Sequence, residues 1–214
     1  MGVKVKLKNV RLSFASKLWT PSAFQDGDNN RYGCNFIVEK GSENDKAIRA
    51  AINTVATEAW GAKANAQLKA LAPDVGKFFY QNGDLKEYEG YEGMWYVSAN
   101  RAEKDGPPAV VGRKGSADVV TEADGIIYSG CHVNAVIEVW CQSKKYTGIR
   151  ATLNGVQFVK DGESFGGTSR ASADDFDALD ETTDDDFGDA DEFGAPEPTK
   201  VDEFGSPEDS YAPF

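Results

Sequence analysis

"SGCHVNAVIEVWCQSKKYTGIRATLNGVQFVK", residues 129–160, alternates apolar and polar side chains through two runs separated by a short loop. In the first run Val133, Ala135, Ile137 and Val139 share one face, and His132, Asn134, Glu138 and Trp140 share the other. In the second, Ile149, Ala151 and Leu153 oppose Arg150, Thr152, Asn154 and Lys160, and Phe158 has the parity of the polar set. A period of two marks a strand with one buried face. The intervening "SKKYTG" is short enough to predict a hairpin.

Working outward, "VKVKLKNVRLSF" (3–14) alternates in the same way but changes face midway. Val3, Val5 and Leu7 oppose Lys4, Lys6 and Lys8, and after Asn9 the apolar set becomes Val10, Leu12 and Phe14. A strand that switches faces requires an extra residue, which predicts a bulge or bend near Lys8–Asn9. "RYGCNFIVEK" (31–40) is a further strand, with Tyr32, Cys34, Phe36 and Val38 on one side and Arg31 and Asn35 on the other. In "SENDKAIRAAINTVATEAWG" (42–61) the period becomes helical. Ser42 and Asp45 stand at capping-box spacing and Gly61 is a stop. A weaker helix follows at "AKANAQLKALA" (62–72), and "KFFYQ", "GMWYVSA" and "PAVVG" read as short strands. A meander of strands with one inserted helix pair predicts a mostly β fold, an OB-type five-stranded barrel.

The formal charge of −12 conceals a division. Residues 1–170 carry a net +3, and residues 171–214 carry −15. The second part is rich in acid, glycine and proline, a composition that predicts disorder. The expected organisation is therefore a domain over 1–165 followed by an acidic tail over 166–214. Within the tail "DEFGAPE" (191–197) recurs as "DEFGSPE" (202–208), Phe176 and Phe187 also follow acids, and the chain closes on Phe214. Carboxylates with spaced rings imitate single-stranded nucleic acid, charges standing for phosphates and rings for bases. That points Phe187, Phe193, Phe204 and Phe214 at a basic, aromatic-lined groove, in this chain or in a partner. A tail of this length reaches roughly 35 Å, enough to visit its own body. A purely solubilising tail is the alternative, although it leaves the repeat unexplained.

Catalytic and metal chemistry find little support. Ser129, Cys131 and His132 lie close in sequence, but adjacent strand residues face opposite ways. Cys131 and Cys141 would stand roughly 33 Å apart on one strand, too far to share a zinc ion. "VGRKGS" (111–116) has the wrong order for a phosphate loop. The reading is a non-enzyme without cofactor or metal. Three cysteines in no framework spacing fit reduced thiols, and neither a secretory signal nor an apolar run of membrane length is present.

What remains is a binding face. Lys4, Lys6, Lys8, Arg11, Arg31, Arg150 and Lys160 fall opposite the apolar positions, with Trp140 and Phe158 of the same parity. Lysines and arginines screen phosphates, and flat rings stack on unpaired bases whatever their identity. Loop residues Trp19, Arg113 and Lys114 are further candidates. Edge protection accounts for the lysines too, Trp140 also fits a core position, and ordinary turns explain the loops.

The stretches "GMWYVSANRAEKDGPPAVV" (93–111) and "YSGCHVNAVIEVWCQSKKYTGIRATLNGVQFVKDGESFGG" (128–167), with the acidic end, resemble the single-stranded-DNA-binding proteins of tailed bacteriophages. The resemblance implies an OB barrel, single-stranded DNA as ligand and a tail that recruits replication or recombination proteins. It also implies action in the cytoplasm of an infected bacterium. Coating of single strands without sequence preference is the expected function, with self-association on DNA and weaker duplex binding once the tail is removed. A strand-annealing recombination protein, a virion structural or assembly protein and a metal-dependent nuclease are the alternatives.

Overall fold

The computed structural model describes residues 2–23, 28–144 and 146–166. Seven strands form one sheet: β1 (Val3–Ser13), β2 (Arg31–Val38), β3 (Tyr80–Asn82), β4 (Trp95–Ala102), β5 (Ala109–Val111), β6 (His132–Gln142) and β7 (Gly148–Lys160). Their order is β3-β4-β2-β1-β6-β7-β5, and β4 also meets β7 in parallel at Asn100↔Thr152. Strands β4, β2, β1, β6 and β7 therefore close a five-stranded ring of OB type. That closing seam is thin, so the ring is not a strict barrel.

The expected bulge is present. Between Leu7↔Ala135 and Val10↔Val133 strand β1 spends one more residue than β6. Asn9 carries it with φ 50°, a left-handed conformation that asparagine adopts more readily than most residues. Side-chain amides satisfy the backbone groups that the bulge takes out of the ladder. Lys8 N–H donates to Asn44 Oδ1 at 3.0 Å, Asn44 Nδ2 donates to the Lys8 carbonyl at 2.9 Å, and Asn9 N–H donates to Asn134 Oδ1 at 3.0 Å. Val5 and Leu7 before the bulge, and Val10 and Leu12 after it, all reach the core. Phe14 does not follow its parity inward. The strand ends at Ser13, Phe14 turns left-handed with φ 61°, and its ring is exposed.

Helices α1 (Glu43–Trp60) and α2 (Ala64–Leu71) lie between β2 and β3. Ile48, Ala51, Ile52, Val55 and Ala56 of α1 join the same core as β1 and β6. Half of the predicted capping box forms, since the Ser42 hydroxyl accepts from Asp45 N–H at 3.2 Å. The Asp45 carboxylate reaches past Ser42 instead. It accepts from Gly41 N–H at 2.8 Å and from the Tyr80 hydroxyl at 2.9 Å, and it pairs with Arg49. Burial pushes the Asp45 carboxyl up, but Gly41, Tyr80 and Arg49 together outweigh it and hold the group below its ordinary value. A depressed carboxylate contributes stability above its unfolded pKa, and that contribution is lost as pH falls through the folded value. Asp45→Ala should lower the unfolding free energy at neutral pH by about 2–3 kcal/mol. In urea melts, Asp45→Asn should converge on the wild type as pH drops below about 3.9; a constant difference down to strongly acid pH would refute this assignment.

Candidate nucleic-acid interface

Register decides which polar side chains share a surface. On the outside of the ring, β2 presents Arg31, Gly33, Asn35 and Ile37. Beside them β4 presents Ala102, Asn100, Ser98 and Tyr96 in the same order. Where β4 meets β7 the row continues through Thr152 and Arg150, with Trp140 opposite Arg150 on β6. Arg31 Nη1 donates to Asn100 Oδ1 at 3.0 Å, and Trp140 Nε1 donates to Thr152 Oγ1 at 3.0 Å. Arg150 donates to the Gly76 carbonyl. Burial, and next the charge of Arg31, lower the basicity of Arg150. The carboxylate of Asp74 offsets part of that like-charge effect on Arg150.

At the other end of β2 the surface becomes aromatic. Ile37, Tyr91 and Tyr96 form a second buried cluster outside the ring. Tyr88 stacks edge-on against Tyr91 at 5.7 Å, and Phe14 stacks edge-on against Tyr88 at 5.6 Å. Tyr91 is fully buried, its hydroxyl accepting from Asn35 Nδ2 at 3.0 Å, whereas Phe14 and Tyr88 are 36% and 52% exposed. A bulky residue held left-handed stores strain, and such residues concentrate at functional sites. Phe14 is one, and its ring is accessible. In the β6–β7 loop Tyr146 also has positive φ, with 69% of its surface exposed. Residues after β7 bound this end. Arg11 donates to the carbonyls of Gly130 and Glu163 and lies 4.1 Å above the Phe165 ring. Gly130 permits that packing, because a Cβ there would collide with the Glu163 backbone.

The remaining predicted residues lie in three other settings. Lys4, Lys6 and Lys8 are exposed on the half of β1 that pairs with β6 alone, Lys4 opposite Glu138. Lys160 faces His132 across β6–β7, and His132 faces Arg11 across β1–β6. Arg113 donates to the Val159 carbonyl at 2.7 Å, its neighbour Lys114 is exposed, and Trp19 is half-buried against the main core.

Phe158 requires a correction. It is 9% exposed and belongs to the core, with the Arg113 guanidinium 5.6 Å from its ring centre. Asn154 is an extra residue between Val136↔Gly155 and Ile137↔Leu153, so the parity of β7 flips and Val156 and Phe158 turn inward. Val159 is a second extra residue, which restores Lys160 to the outer face. Phe187, Phe193, Phe204 and Phe214 lie outside the described residues. Cys131 and His132 do not meet as nucleophile and base: Cys131 is buried, its thiol pushed up to about 11 by burial, and His132 lies on the opposite face. No helix among the described residues is long and apolar enough to cross a membrane.

The outer face of β2 and β4 carries Arg31 and the polar side chains of Asn35, Ser98 and Asn100, and the accessible rings of Phe14 and Tyr88 stand beside it on loops, on the face by which OB-type rings bind oligonucleotides. Residues 3–188 match the model of the family described as the single-stranded-DNA-binding protein of Enterobacter phage Enc34, and the chain belongs to that family. Putative protein p50 of Acyrthosiphon pisum secondary endosymbiont phage 1 is 37% identical over 180 residues, which is 83% of this chain and 94% of that protein. The single-stranded DNA-binding protein from bacteriophage Enc34, in complex with ssDNA, is similar with a TM-score of 0.60 at 28% identity. That similarity covers 76% of this chain and 89% of the other. A C-terminal truncation of the Enc34 protein gives 0.58 at 26% identity, over 76% and 88% of the two chains.

With its ring in the core, Phe158→Ala should lower stability by about 3 kcal/mol in equilibrium urea unfolding. The exposed Lys160→Ala should stay within about 0.5 kcal/mol of the parent. Near-parental stability of the Phe158 variant would return that ring to the surface.

Proposed function

We propose that this chain binds single-stranded DNA without sequence preference across the outer face of β2 and β4, acting in DNA replication or recombination in the cytoplasm of the infected host. The observation that carries the proposal is one row joining the Arg31–Arg150 pair to the exposed rings of Phe14 and Tyr88 through Gly33, Asn35, Ser98 and Asn100. The arginines offer charge to phosphates. Asn35, Ser98 and Asn100 offer hydrogen bonds, and the rings offer surfaces for unpaired bases. A strand glycine such as Gly33 leaves room for a ligand to come close to the backbone. Membership of the Enc34 family and the DNA complex of the Enc34 protein support the same reading. Trp140 and Tyr146 extend the row toward β6–β7, and Arg11, Trp19 and Lys160 flank it. The chain works without cofactor or metal in this proposal.

The acidic segment 171–214 competes with DNA for these cations and, when displaced, recruits replication or recombination proteins through Phe187, Phe193, Phe204 and Phe214. Its −15 charge is the reason for assigning it that role. Domain 1–165 then holds DNA, and 166–214 reports its presence to partners.

Titration with oligo-dT, followed by tryptophan fluorescence, tests the face directly. Phe14→Ala and Tyr88→Ala should each weaken binding by about 1–3 kcal/mol. Replacing Arg31 and Arg150 together should reduce the slope of log K against log salt by about 1.4, at about 0.7 per phosphate contact. Unchanged affinity and slope in all three variants would remove DNA from this face. Deleting residues 171–214 should tighten binding, most of all at low salt, and relax discrimination against duplex. Equal or weaker binding by the shortened chain would refute competition by the acidic segment.

A further inference from the structure

The segment that leaves β7 turns back to the rim of the β2–β4 face. Tyr128 holds its start: the hydroxyl donates to the Gly162 carbonyl at 2.9 Å and accepts from Gly162 N–H at 3.0 Å. Phe165 N–H then donates to the Ser129 carbonyl at 3.0 Å, and Gly166 N–H donates to Glu89 Oε2 at 3.3 Å. Between these bonds the Phe165 ring is half-buried against Ile37, Tyr91 and Tyr96, beneath the Arg11 guanidinium. Its edge meets Gly90 so closely that a Cβ on Gly90 would collide with it. Gly90 also has φ 78°, so the space and the backbone there both call for glycine. Phe165 and Gly166 thus grip Glu89 and Gly90, the two residues that follow Tyr88.

Tyr88 is where such a grip matters. Its ring is 52% exposed, and it stands in a stretch, residues 86–94, that contains neither helix nor strand. A side chain that has to be ordered when a ligand arrives lowers affinity by a factor of about 2–10, whereas a ring already held in place avoids that loss. We propose that Phe165 is a positioning residue: it wedges residues 88–91 against β2 and β4, so that the Tyr88 ring is set for an unpaired base before DNA arrives. Phe165 acts through Tyr88 and makes no DNA contact of its own, because Arg11 covers a face of its ring and Gly90 meets its edge. The inference rests on the proposed DNA face and adds to it a residue that lies outside the row of β2 and β4. It also gives Arg11 a use other than phosphate binding, since its guanidinium holds the wedge in place through the Glu163 carbonyl and the Phe165 ring.

A double-mutant cycle of Phe165→Ala and Tyr88→Ala in the full-length chain tests this, with oligo-dT affinity measured by tryptophan fluorescence at two salt concentrations. Phe165→Ala should weaken binding about fivefold and leave the slope of log K against log salt unchanged, since no phosphate contact is lost. In the Tyr88→Ala background the same change should cost less than about twofold, because no ring is left to position. Phe165→Leu keeps apolar bulk against Ile37 and Tyr96 and so secures a folded variant; it should show the same dependence on Tyr88 at about threefold. Equal losses with and without Tyr88 would give Phe165 a general structural part or a base contact of its own, and would overturn the inference. Parental affinity of both Phe165 variants, or a changed salt slope, would overturn it as well. Tyr88→Ala alone separates this inference from the DNA reading. If that variant weakens binding and the Phe165 variants do not, only the positioning role falls; if it binds like the parent, the stacking role of Tyr88 falls and the positioning role with it.

Discussion

The ring depends on one extra residue in β1. Up to Leu7 this strand pairs with β6, and from Arg11 to Ser13 it pairs with β6 or β2 on its two edges. To serve both neighbours while keeping one face inward, it must bend without exposing Val10 and Leu12. The Lys8–Asn9 bulge achieves this by adding twist and shifting parity together. Breaking a ladder inside a sheet leaves backbone groups unpaired, which is costly unless something replaces the lost bonds. Asn44 from α1 and Asn134 from β6 replace them. The helix inserted between β2 and β3 therefore does more than cover the core: its Asn44 holds the bend that allows the ring to close.

That bend also divides the chemistry of the outer surface. Before it, Lys4, Lys6 and Lys8 lie beside β6 and border a groove without rings. After it, β1 delivers Arg11 and Phe14 to the side where β2 and β4 present their amides and rings. Arg11 is engaged there by two carbonyls and the Phe165 ring, so it anchors the segment leaving β7. Arg31 and Arg150 are differently placed, as two like charges near each other. A phosphate near them would relieve that repulsion, which is why the proposed path of a nucleic acid runs past these arginines rather than along the more numerous lysines.

Much of this fold was legible in the sequence because alternation survives wherever strands are regular. The parity flip at Asn9, the hairpin after Gln142, Ser42 as a cap and Gly61 as a stop all correspond to local rules that tertiary contacts did not override. Phe158 was misplaced because an extra residue at Asn154 shifts parity silently; "TLNGVQF" reads equally well as an unbroken strand. Lys160 lies on the expected side only because a second extra residue, Val159, reverses the first. On the candidate face, Arg31, Arg150 and Trp140 followed from parity, while Phe14 and Tyr88 did not. Phe14 leaves its strand by a left-handed turn. Tyr88 belongs to a charged loop, "DLKEYEGYEGMW" (84–95), with no period to read. Three aromatic residues, Tyr88, Tyr91 and Trp95, in a largely acidic stretch were the available signal.

Long-range charge supplies the last constraint. A body of +3 attracts DNA only moderately, and a linked segment of −15 outweighs it, so at low salt the chain as a whole repels the polymer it is proposed to bind. Stacking resolves the conflict, since base–ring contacts depend little on ionic strength whereas the cost of bringing phosphates near carboxylates is screened over about 10 Å at 0.1 M salt. Duplex DNA brings the same phosphates at higher density and hides its bases. On the proposed reading the acidic segment would penalise duplex more than single strands, and discrimination would arise from charge without any contact that recognises strandedness as such.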